Sequence, residues 1–113
     1  MTALAARSRS KAAAMSGIGD LSRKAGEAAS LLKLLANENR LLILCQLAAA
    51  REMSVGALAD AVALSQSALS QHLGRMREDG LVATRRDGQT IYYRIADPNA
   101  GKLLSVLKAI YCP

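Results

Sequence analysis

The chain has 113 residues, with 15 Lys and Arg against 9 Asp and Glu, a formal net charge of +6, and three Tyr but no Trp or Phe. That length suits one domain with a modest core, and the basic balance points to a polyanion as partner. No apolar run approaches the ~18 residues that a spanning helix needs, and the scarcity of aromatic rings disfavours stacking on single-stranded nucleic acid, so duplex binding is the better match.

Residues 1 to 19 carry Arg7, Arg9 and Lys11 among many Ala and Ser, with no acidic residue before Asp20. They lack the continuous apolar core of a secretory signal and read as a flexible basic tail. From Asp20 onward Leu21, Ala25, Ala28, Leu32 and Leu35 fall near one helical face. Asn37 offers a break and a cap for a second helix, which runs through Arg40, Leu41, Leu44 and Leu47 to about Ala50.

Two short helical patterns follow. Ser54 is placed to cap the first, where Val55, Leu58, Ala59 and Val62 recur at helical spacing, and Ala63 and Leu64 make the turn. Ser65 caps the second, in which Leu69, Leu73 and Met76 point one way. Gln66, Ser67, Ser70, Gln71, His72 and Arg75 occupy the other faces and offer hydrogen bonds to base edges. After Gly80 the period changes to that of strands: Leu81 to Arg85, then Arg86-Asp87-Gly88, then Gln89 to Ile95 with two Tyr, where Asp-Gly signals a hairpin. Asp97 and Pro98 start a last helix whose Leu103, Val106, Leu107 and Ile110 form an apolar stripe, widened by Leu104 and Tyr111. So apolar a helix on a small protein needs a cover; packing within the chain could supply it, but pairing of the first and last helices with those of a second subunit is the preferred expectation.

Taken singly, a Leu stripe is core and an Arg-Arg pair is a solvated turn. In this order, and on a basic chain, they predict a mainly α fold with a small β-hairpin: a winged helix-turn-helix of about five helices and a two-stranded wing over residues 20 to 113, dimeric, and reading double-stranded DNA. Arg85, Arg86, Gln89 and Thr90 are the wing residues expected to reach DNA beside the six polar residues of the second short helix. His72 is the sole His, so no multi-histidine metal site is expected within one chain, and no cofactor. Ser70 and His72 are two apart on a helix and face different directions, and Gly88 lies in a turn and forms no phosphate loop, so no enzyme is read here.

The runs Leu34-Leu35-Ala36-Asn37-Glu38-Asn39-Arg40-Leu41-Leu42-Ile43-Leu44, Ser65-Gln66-Ser67-Ala68-Leu69-Ser70-Gln71-His72-Leu73 and Arg85-Arg86-Asp87-Gly88-Gln89-Thr90-Ile91-Tyr92-Tyr93 resemble those of the ArsR/SmtB family of bacterial repressors. The resemblance covers everything after Asp20. It implies a cytoplasmic homodimeric repressor released from its operator by an inducer, with the helix at Ser65 in the major groove and the Arg85 to Tyr93 hairpin in the flanking groove.

Metal sensors of that family carry a Cys-x-Cys pair on the second helix, or His and acidic ligands on the last one. This chain departs from both patterns, since Cys45 is unpaired and the last helix has no His. Cys45 after Leu-Leu-Ile-Leu, and Cys112 after Tyr111, resemble instead the dithiol of the BigR/SqrR persulfide-responsive subgroup. That resemblance implies that reactive sulfur species, persulfide or polysulfide, cross-link the two thiols and release the repressor. A thiol of lowered pKa is the expected nucleophile. The open alternatives are a metal or arsenite site shared across the dimer, a general thiol-redox repressor forming a disulfide, and a nucleoid-type binder without an inducer.

Overall fold

The computed structural model describes residues 11–112, with side chains from Ile18 onward, so residues 1–10 of the expected tail lie outside the described residues. The chain divides between Lys33 and Leu34 into two units.

The first unit is nearly all of helix α1 (Lys11–Leu35), which begins well before Asp20. Residues 11–19 of the stretch read as a tail are thus part of this helix. The Lys11-Ala12-Ala13-Ala14-Met15 run consists of strong helix formers, and intrinsic propensity extends the helix where no amphipathic stripe marks it. Ile18, Leu21 and Leu32 stand exposed on α1, and Asp20 pairs with Arg23 one turn on.

The second unit is built on local capping chemistry. Asn37 accepts a hydrogen bond from the Arg40 amide at 3.1 Å and starts α2 (Glu38–Ala50), which buries Ile43, Leu44 and Leu47. Ser54 caps α3 (Val55–Val62) by accepting from the Ala57 amide, and Ser65 caps α4 (Gln66–Glu78) by accepting from the Ala68 amide. Between them Ala63 takes the left-handed conformation, φ 57°, which ends α3 and swings the chain into α4. Leu58 and Ala59 of α3 and Leu69, Leu73 and Met76 of α4 are buried in the core where the two helices pack. Each fully buried Leu or Met contributes on the order of 1.5–3 kcal/mol.

The wing has three strands, one more than expected. Strand β1 (Met53–Ser54) pairs antiparallel with β3 (Thr90–Ile95), and β3 pairs antiparallel with β2 (Val82–Asp87), in the order β1-β3-β2. Met53 lies opposite Tyr93 and Ser54 opposite Tyr92, while Arg85 lies opposite Tyr92 and Arg86 opposite Ile91. Two residues are too few to show alternation, so β1 left no trace in the periodicity. The hairpin closes through Gly88 and Gln89 rather than Asp87 and Gly88, and of the two only Gly88 has positive φ, 65°. That places glycine at the first loop position, where a type II′ turn requires it.

Helix α5 (Pro98–Tyr111) starts on Asp97, whose side chain accepts from the Asn99 and Ala100 amides, at 2.8 and 3.3 Å. Its core contact is made by Ala100 and Leu104. Val106, Ile110 and Tyr111 are exposed, and Leu103 and Leu107 are half-buried, so the predicted stripe lies largely off the core side. No helix among the described residues is long and apolar enough to cross a membrane.

Candidate nucleic-acid interface and thiol pocket

Helix α4 buries one face and offers the other. Gln66, Ser67, Ser70, Gln71 and Arg75 are exposed, and His72 is half-buried at the edge of the core. The Gln66 amide lies over Gly56 of α3, with its Nε2 3.9 Å from where a Cβ would stand. Inward Leu and outward amide and hydroxyl groups give a polar helix face, the kind of surface with which helix-turn-helix proteins enter a major groove.

At the wing, Arg86, Gln89 and Thr90 are exposed at or next to the turn, and Arg86 makes no ion pair among the described residues. Arg85 is different. Its Nε lies 3.0 Å from both carboxylate oxygens of Glu52 and its Nη2 lies 2.6 Å from Oε1, while its guanidinium carbon stands 4.7 Å from the centre of the Tyr92 ring. Arg85 donates to Glu52 and holds that carboxyl below its ordinary range. Of the residues expected at DNA, Arg85 is therefore already engaged within the chain. Glu52 had no signal in the sequence, because only the pairing of β1 brings it to the Tyr92 face of the sheet.

The two cysteines meet at a cavity of about 330 Å³ between α2 and α5. Leu41, Cys45 and Gln46 form one wall, and Leu107, Lys108, Tyr111 and Cys112 the other. Both thiols are free and exposed. Cys112 is held at the end of α5 by its amide, which donates to the Lys108 carbonyl at 2.8 Å. Partial desolvation pushes the Cys45 thiol up from its ordinary pKa, the neighbouring Cys112 pushes it further, and Lys108 opposes both. Cys45 is thus not the thiol of lowered pKa that the sequence led one to expect. No group of three or more His, Cys, Asp or Glu among the described residues is placed to hold a metal ion.

A capped helix-turn-helix joined to a basic three-stranded sheet, two strands of which form the hairpin after it, defines a winged-helix DNA-binding protein. The family model described as bacterial regulatory protein, arsR family, matches residues 37–84, from the cap of α2 into the first long wing strand. The HTH-type transcriptional regulator YgaV of Escherichia coli (strain K12) is 42% identical over 99 residues, covering 88% of this chain and all of that protein. Among solved structures, reduced HlyU from Vibrio cholerae N16961 is 44% identical, with TM-score 0.76 over 83% of this chain and 98% of that one. The transcriptional repressor BigR from Xylella fastidiosa is 40% identical, with TM-score 0.76 over 84% of this chain and 96% of that one. The chain belongs to the ArsR family of bacterial regulatory proteins, and it is a transcriptional regulator.

Proposed function

We propose that the protein is a cytoplasmic homodimeric repressor that binds operator DNA while its thiols are reduced and leaves it when a persulfide or polysulfide cross-links Cys45 and Cys112. The observation that carries this reading is the placement of both thiols at one cavity between α2 and α5. Support for repression comes from the likeness to BigR, a transcriptional repressor. Support for the dimer comes from the exposed apolar residues of α5, Val106, Ile110 and Tyr111, which a second copy would cover.

In the complex, α4 lies in the major groove with Gln66, Ser67, Ser70, Gln71, His72 and Arg75 toward the bases and phosphates. Arg86, Gln89 and Thr90 of the wing approach the flanking groove, and Arg85, next to Arg86 on β2, is engaged by Glu52.

The chemistry closes without any reagent other than the persulfide. One cysteine thiolate attacks the outer sulfur of RS–SH, the S–S bond breaks, RS⁻ leaves and takes up a proton, and the cysteine becomes Cys–S–SH. A second equivalent extends it to Cys–S–S–SH. The other thiolate then attacks the sulfur next to the cysteine sulfur and expels HS⁻, leaving a trisulfide bridge. In sum, two RSSH and two thiols give one Cys–S–S–S–Cys, two RSH and one H₂S; the thiols are oxidised and one sulfane sulfur is reduced to sulfide. Such a bridge ties α2, whose far end leads into the helix-turn-helix, to α5, whose exposed face is the dimer surface. A coupling of about 1–3 kcal/mol between the two would change operator affinity roughly 5- to 150-fold.

The test is the intact mass of the reduced chain after glutathione persulfide, with peptide mapping. A bridge between the Cys45 and Cys112 peptides that carries added sulfur supports the reading. Unmodified thiols, or a bridge formed only by zinc or arsenite, contradict it.

A further inference from the structure

The sheet register places Glu52, which immediately precedes β1, on the same face as Ser54, and Ser54 lies opposite Tyr92, itself opposite Arg85. That alternation is why a carboxylate from before α3 meets a wing arginine 33 positions later with three hydrogen-bond contacts between 2.6 and 3.0 Å. The fork of the guanidinium is filled on its Nε edge by Glu52, and one face of it lies on the Tyr92 ring. Arg85 and Glu52 remain half-exposed, with side-chain accessibilities of 49% and 31%, so solvent screens the pair and its worth to folding is small. Its larger consequence is for the count of cations free to meet phosphate. On the wing, Arg86 and Arg94 are exposed and make no ion pair among the described residues, whereas Arg85 is neutralised in place.

We propose that Glu52 is a specificity-determining residue for DNA: it withholds Arg85 from the phosphate backbone, so that binding leans on the base-reading face of α4 and less on sequence-independent charge. This rests on the reading that the wing faces DNA. Each phosphate neutralised adds about 0.9 to the slope of log affinity against log salt, on any duplex. Glu52 removes one such contact. A protein that must find one site among many gains from this, since phosphate contacts raise affinity for random and specific sequence alike.

The experiment measures salt slopes on operator and random duplexes for the full chain and four variants: Glu52→Gln, Arg85→Ala, the double variant, and Arg86→Ala. Glu52→Gln is expected to steepen the slope by about 0.9 on both duplexes, which is about 3.5-fold more affinity lost between 50 and 200 mM salt. Arg85→Ala alone is expected to leave the slope where it was, and adding it to Glu52→Gln is expected to abolish the gain. A mere field effect of the lost carboxylate would persist in the double variant, so its persistence overturns the proposal. A wild-type slope in folded Glu52→Gln also overturns it, as does a slope reduced by Arg85→Ala alone. Thermal melts establish that each variant is folded, and Glu52→Asp, which keeps the charge but withdraws it by one methylene, supplies a second release of Arg85 with the same expected steepening. Arg86→Ala separates the two ideas: if it too leaves every slope unchanged, the wing does not face DNA and the underlying reading fails, whereas a reduced slope for Arg86→Ala beside an unchanged one for Glu52→Gln defeats the role of Glu52 alone.

Discussion

Arg40, in the first turn of α2, reaches Asp79 at the end of α4 with its Nη1 3.2 Å from Oδ2, and the same nitrogen donates to the Leu34 carbonyl at 3.1 Å. The helix that carries Cys45 is thereby tied to α4, the helix proposed to read DNA. A displacement of α2 has a direct mechanical route to α4 through this pair.

Arg40 is the more buried partner, and its removal leaves the Leu34 carbonyl without that donor. Arg40→Ala is expected to cost about 1–2 kcal/mol, and Asp79→Asn less than about 1 kcal/mol, since only the part-exposed ion pair is lost. At roughly 4–8 °C per kcal/mol for a domain of this size, thermal melts resolve the difference. Equal losses would show that the Leu34 contact contributes nothing.

Gln71 is exposed on α4 and Arg86 is exposed on the wing without an ion-pair partner among the described residues. Gln71→Ala is expected to relax discrimination at one base pair by about 1–3 kcal/mol, and Arg86→Ala to weaken all duplexes alike with a salt slope lower by about one. Competition binding against single-base operator variants reads the first, and a salt titration the second. Uniform weakening by Gln71→Ala would move that residue from a base to a phosphate.

Much of this arrangement was legible beforehand because helix caps are local chemistry. Asn37, Ser54, Ser65 and Asp97 each accept the amide hydrogen bonds that their residue types and positions announce. What escaped notice was non-local or unpatterned. The start of α1 rests on alanine propensity, which leaves no stripe, and β1 is too short for one. The Glu52–Arg85 pair depends on β1 in turn. On α5 the stripe of Leu103, Val106, Leu107 and Ile110 and its need for a cover were visible, but the sequence did not show that Ala100 and Leu104 would make the core contact. For the thiol site the cysteines were visible and their surroundings were not, since Leu41 and Lys108 become neighbours of the thiols only when α5 packs on α2.

Val106 and Ile110 are 55% and 59% exposed on α5. If they form the dimer surface, Ile110→Glu places a charge in an apolar contact and is expected to shift the chain to monomer in sedimentation at micromolar concentration, with operator affinity lost in parallel. A dimer that survives Val106→Glu and Ile110→Glu together would place the interface elsewhere.

Thiolate is the reactive form of cysteine, and Cys45 has its pKa raised, so its alkylation is expected to set in at higher pH than that of an ordinary thiol. In Cys112→Ser the repulsion from the second thiolate is gone, and the Cys45 profile should move to lower pH. In Lys108→Met the favourable charge is gone, and with Cys112 retained the profile should move to higher pH. Mass-spectrometric alkylation rates across pH resolve both shifts, and movement in the opposite sense for either variant would mean that the pocket does not govern Cys45.

Operator release by glutathione persulfide, followed by fluorescence anisotropy with the wild-type, Cys45→Ser and Cys112→Ser proteins, tests the dithiol switch most directly. Wild type should dissociate as the sulfur bridge forms, while each single variant, having bound the operator as tightly as wild type when reduced, should stay bound at the same dose. Release of either single variant by the persulfide, or release of wild type without a bridge between Cys45 and Cys112, would contradict it.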